Sequence, residues 1–165
     1  MGYTTDFFGE FDIDRKLKEE HARYLSAFQN IRHMRRNEKI ASKMPDPVRI
    51  ATGLPIGNEA AYFVGDDVGT DISILNRNEP PRGQPGLWCQ WTPSKDGKTI
   101  LWDGSEKFYN YVDWLTYLIF HFLNTWGYML NGEVEWQGEN RNDFGLIVVA
   151  NSEVTIRIGS RQFGQ

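Results

Sequence analysis

The sequence predicts an α+β fold: a single domain with a mostly antiparallel sheet packed against two helices, one of them long and aromatic-rich. Three observations predict it. The stretch Ser105 to Gly127, SEKFYNYVDWLTYLIFHFLNTWG, is apolar and aromatic at helical spacing. Segments on both sides of it alternate polar and apolar residues at strand spacing. Short connections, Asp96-Gly97 within SKDGK and Asn151-Ser152, join neighbouring strand candidates.

Taken in order, YTTDFFGEFDI (residues 3–13) reads as a strand, with Thr5, Phe7, Phe11 and Ile13 on one face and Thr4, Asp6, Phe8, Glu10 and Asp12 on the other. Asp14 offers an N-cap to a first helix of about residues 15–35, whose stripe is Leu17, Tyr24, Leu25, Phe28 and Ile31. Its end carries Arg32, His33, Arg35 and Arg36, where positive charge complements the helix dipole. From Pro45 to Pro85 prolines and glycines recur, and Tyr62-Phe63-Val64 and Ile72-Ser73-Ile74 are short strand candidates. Residues 87–103 read as a hairpin that turns at Asp96-Gly97, with Cys89 in its first strand. The long helix follows, N-capped at Ser105 and stopped at Gly127, with a polar stripe of Glu106, Asn110, Asp113, Tyr117, His121 and Asn124. Burial of each of its large apolar side chains is worth about 1.5–3 kcal/mol, so this helix organises the core. Residues 128–138, 146–150 and 153–158 are the remaining strands. Gly9-Glu10 and Gly132-Glu133 give a short echo between the first strand and the one after the helix, too brief to establish a repeat.

Length and composition fit one domain over residues 1–160, with an irregular segment at about 45–85 and a polar tail at 161–165. With 40% hydrophobic and 14% aromatic residues, the chain has enough apolar surface to fold. The long helix is not read as a membrane span, because Asp113, His121 and Asn124 are expensive in lipid. A single cysteine excludes an internal disulfide, and the amino terminus has neither a basic head nor an apolar core, so the expectation is a cytoplasmic protein. The net charge of −4 is uneven: residues 15–49 hold ten Lys/Arg against four Asp/Glu, and residues 50–165 hold eight against fourteen. That asymmetry points to a basic patch on an acidic body.

GYTTDF, the GLWCQW…DG…LWDG block, EKFYNYVDWL and WGYMLNGEVEWQGE together resemble a family of small bacterial and bacteriophage proteins. The resemblance implies a cytoplasmic, phage-associated accessory protein. It carries over no activity, cofactor or site residue.

No phosphate loop, dinucleotide fingerprint, zinc-protease motif, CxxC or nucleophile elbow is present. The sharpest chemical candidate is the set Glu133, Glu135 and Gln137, which alternate onto one face of their strand, with Asp6 and Glu10 on the same side if the first strand lies beside them. Paired carboxylates support glycoside hydrolysis or bind a divalent cation. The bland reading of the same residues is the solvent side of a half-buried sheet, and it is the default. His21, His33 and His121 lack metal-ligand spacing, and Cys89 lacks an adjacent base, so no catalytic or metal role is assigned to them. Trp88 and Trp91 fall on opposite faces of their strand, which puts one of them outside the core and available for stacking.

The leading expectation is therefore a non-enzymatic binding protein without a cofactor or metal, acting on a protein partner or a small nucleotide-type ligand. Arg32, Arg35, Arg36, Trp88 and Trp91 are its candidate contacts. Nucleic acid is a less favoured partner and a membrane is not one. The alternative is a hydrolase using Glu133 and Glu135; a homodimer through a sheet or helix interface is a third class.

Overall fold

The computed structural model describes residues 2–57, 62–64 and 72–160. In chain order the strands are β1 (Thr5–Ile13), β2 (Arg35–Arg36), β3 (Ile74–Asn76), β4 (Trp91–Pro93), β5 (Thr99–Trp102), β6 (Leu130–Gly138), β7 (Phe144–Ala150) and β8 (Glu153–Ile158). The helices are α1 (Glu19–Asn30), α2 (Glu38–Ala41), α3 (Pro47–Ala51), α4 (Tyr111–Leu118) and α5 (Asn124–Trp126), and a π-helical turn at Ile119–Leu123 joins the last two. The α+β class is as expected. The sequence reading takes 1–160 as one domain; the structure divides the chain into two compact units, residues 1–17 with 90–165 and residues 18–89. The tail expected at 161–165 lies outside the described residues, as does part of the segment at 45–85.

In the first unit, alternation in β1 and β6 produces a sheet with two unlike faces. Among the described residues it has six strands in the order β4-β5-β1-β6-β7-β8, and every pairing is antiparallel. Phe7, Phe11 and Ile13 of β1, Val134 and Trp136 of β6, and Ile147 and Val149 of β7 are buried on the inner face. The two Gly-Glu pairs meet there: Glu10 lies opposite Glu133, Gly9 opposite Val134 and Phe11 opposite Gly132. Gly9 and Gly132 have φ of +107° and +141°, and a Cβ on Gly132 would stand 2.9 Å from the Glu10 carbonyl oxygen. Only glycine lets the two central strands come this close in that conformation.

The β7–β8 hairpin turns at Asn151 and Ser152, with φ of 50° and 66°, as a two-residue turn of the right twist requires. It is latched to the start of β6. Ser152 N–H donates to the Leu130 carbonyl at 2.8 Å, and Leu130 N–H donates to Ser152 Oγ at 2.9 Å.

The long helix starts later than the sequence predicts. Ser105 N–H donates to Asp103 Oδ1 in a local turn, and Lys107 and Asn110 hold positive φ, so helical backbone begins at Tyr111. Gly127 does end it in the left-handed conformation (φ 83°). The π turn inserts a residue and moves the phase of the stripe. Tyr117, expected among polar positions, is buried, while Phe120 is 69% exposed. Trp114, Leu115, Phe122 and Leu123 are buried, and Trp91 Nε1 donates to the Tyr111 carbonyl at 2.8 Å where the helix meets the sheet. Phe7 makes edge contacts with Trp91, Trp102, Phe108 and Tyr111 at ring-centroid distances of 4.9–5.7 Å.

In the second unit α1 is shorter than the expected 15–35. Asp14 does not cap it: its carboxylate accepts from Met129 N–H at 3.0 Å, and helix begins at Glu19. Ile31 is already extended, and His33 N–H donates to the Leu87 carbonyl. Tyr24, Leu25 and Phe28 form the buried face. Tyr62-Phe63-Val64 is not a strand; Tyr62 instead accepts from Tyr24 OH through its carbonyl at 2.8 Å. Only Ile74 of Ile72-Ser73-Ile74 enters β3, which pairs with β2.

Candidate functional site

The outer face of the six-stranded sheet carries the chemistry. Register sets Asp6, Phe8, Glu10 and Asp12 of β1 opposite Gln137, Glu135, Glu133 and Asn131 of β6. The next strands bring Phe144, Leu146 and Val148 of β7 and Thr155 and Arg157 of β8 to the same side. Asp6, Glu10, Asp12, Glu133 and Glu135 are all exposed. Amid these carboxylates lies an apolar centre, with Phe8 57% exposed.

That centre is concave. A groove of about 570 Å³ is lined by Phe8, Glu135, Gln137, Phe144, Leu146 and Arg157, together with Trp136, Gly145, Ile158 and Gly159. Its volume falls within the range of ordinary ligand clefts. One end is tied down by the loop between β6 and β7. Gln137 Nε2 donates to the carbonyls of Gly138 and Asn140 at 3.1 and 3.2 Å. Asp143 accepts from Tyr3 OH at 2.7 Å and from Trp136 Nε1 at 2.9 Å. The bond to Asp143 raises the Tyr3 phenol above its ordinary value. Burial, reinforced by Asp143 and Tyr3, pushes Tyr111 up to about 12. Both phenols therefore stay protonated and keep donating.

The predicted carboxylates share this face, but the groove does not gather them. Glu135 lines it, whereas Glu133, Glu10 and Asp6 are outside its lining. Glu10 Oε2 accepts from Thr99 Oγ1 at 3.1 Å, towards β5. Among the described residues no group of three or more His, Cys, Asp or Glu is arranged to hold a metal ion.

No protein-family model, curated protein or solved structure matches the chain.

The arginine and tryptophan candidates have other employment. Arg36 is buried, donates to Ser73 Oγ at 2.8 Å and sits 4.6 Å from the Phe63 ring centroid. Arg35 pairs with Glu79 at 3.6 Å, and Arg32 Nε donates to the Arg77 carbonyl at 2.8 Å. These side chains close the fold around β2 and β3. Trp91 is 1% exposed, so its ring is inaccessible to a partner; Trp88 is 43% exposed. His21, His33 and Cys89 are buried, and His33 Nε2 lies 2.8 Å from the Phe28 carbonyl oxygen. The groove residues Phe8, Phe144, Leu146 and Arg157 are absent from the sequence candidates. Their signal was an aromatic on the polar face of β1, and the β7 alternation begun two residues earlier than read.

Proposed function

We propose that the chain is a non-enzymatic binding protein that holds a basic, partly apolar segment of another protein on the outer face of its sheet. One observation carries the reading: an exposed apolar groove lies within a field of carboxylates. Low-dielectric walls beside like charges focus potential and draw in opposite charge. The groove then supplies the apolar contact that charge alone does not. This field disfavours a nucleotide or nucleic acid on the same face, because phosphates would meet Asp6, Glu10, Glu133 and Glu135. The sequence resemblance supports a cytoplasmic, phage-associated setting, where the partner is a host protein.

The test is an NMR titration with a defined peptide of alternating Arg and Leu, set against its Glu-Leu counterpart and ADP. The Arg-Leu peptide should shift the amides of Phe8, Glu135 and Leu146 saturably at physiological salt. Glu133→Lys with Glu135→Lys should abolish that response, and Arg32→Glu should leave it unchanged. Preference for the acidic peptide or for ADP would sink the reading. The competing hydrolase would use Glu133 and Glu135, which project from the same face two residues apart. Turnover of aryl glycosides that disappears in Glu135→Gln would favour it.

A further inference from the structure

The two edges of the six-stranded sheet are built differently. The β4 edge is three residues long and ends in Pro93, which has no N–H to offer a further strand. The β8 edge is six residues of regular strand, EVTIRI, without proline or register shift, and is exposed along nearly its whole length. Ile156 and Ile158 are 39% and 80% exposed there. An open, apolar edge is a template for another strand unless something blunts it.

We propose that a second copy of this chain covers that edge. Two β8 strands pair antiparallel about a two-fold axis at Thr155, so that Glu153 faces Arg157 of the second copy, Val154 faces its Ile156, and Thr155 faces itself. Three features of β8 select this register. The first is charge: Glu153 and Arg157 lie on one face, two residues either side of Thr155, so a single rotation yields two opposite-charge cross-strand pairs. The second is the other face, where Val154 and Ile156 of both copies become one apolar patch. The third is the backbone. Gly159 N–H donates to the Phe144 carbonyl at 2.8 Å. Such groups alternate along an antiparallel strand, so Glu153, Thr155 and Arg157 point inward to β7 while Val154, Ile156 and Ile158 point outward. In the proposed register Val154 and Ile156 of one copy exchange hydrogen bonds with Ile156 and Val154 of the other. The interface uses the same patch on both copies, as a closed two-fold assembly requires.

Sedimentation of the full chain across a range of concentrations tests this. Dimer is expected. Arg157→Glu or Glu153→Arg alone turns both attractive pairs repulsive and should weaken the dimer roughly ten-fold. The double swap, Glu153→Arg with Arg157→Glu, should restore it. Thr155→Cys should oxidise to a cross-linked dimer, while Val154→Cys, which is not opposite itself, should not. A chain monomeric at every concentration overturns the proposal. So does a dimer indifferent to both single reversals, which would place the contact elsewhere.

Discussion

Gly132 and His121 show how much a single position decides. At Gly132 the backbone is in a conformation that L side chains rarely adopt, and a Cβ would meet β1 backbone at 2.9 and 3.1 Å. Gly132→Ala should therefore destabilise the chain by about 1–3 kcal/mol, read as a lower urea midpoint. An unchanged midpoint would mean that β1 and β6 part without cost. His121 is half-buried in the π turn, with the Tyr117 ring 4.1 Å away, and burial lowers its imidazole from the ordinary value of 6.5. The unfolded chain then binds that proton more readily than the folded one. The contribution is complete above the unfolded value and is lost as pH falls through the lowered one. Melting temperature should drop between about pH 7 and about pH 5, and His121→Phe should flatten that drop. An equal slope in the variant would assign the drop to other groups.

The elements were legible where the pattern was local. Alternation in TDFFGEFDI and NGEVEWQG located β1 and β6 and sorted their faces correctly, because a period of two leaves little freedom once one face is buried. Helix ends were harder to read. Asp14 and Ser105 are plausible caps by residue type, yet Asp14 is held by Met129 and Ser105 by Asp103, partners that tertiary structure or a local turn supplies. The π turn left no local signal, and so the place of Phe120 on the surface was unreadable. The loop between β6 and β7 rests on Asp143, which accepts from Tyr3 OH and Trp136 Nε1. Asp143→Ala leaves the buried end of that indole without its acceptor, and should cost about 1–3 kcal/mol by chemical denaturation. A neutral outcome would show that the loop is held by Gln137 and the backbone alone.

For the molecule as a whole, uneven charge was visible in the sequence, but its meaning inverted on folding. The basic run lies in residues 18–89, where Arg36 is buried and Arg35 and Arg32 are bonded within the unit. The acidic residues are dispersed along the chain, and strand register collects them on one face. Composition sees totals; register decides which of them act together. The same distinction governs Cys89, which is 0% exposed. A thiol reagent should leave it unlabelled in the native chain and modify it at the rate of unfolding; prompt labelling would show that the Cys89 region opens on its own.

Pro93 carries a last consequence. A ribbon able to recruit neighbours at both margins would lengthen without limit, as fibrils do. With one margin closed to newcomers, recruitment at the other exhausts itself after a single addition. Concentrated solutions should hold a species of finite mass that remains clear, not a growing precipitate.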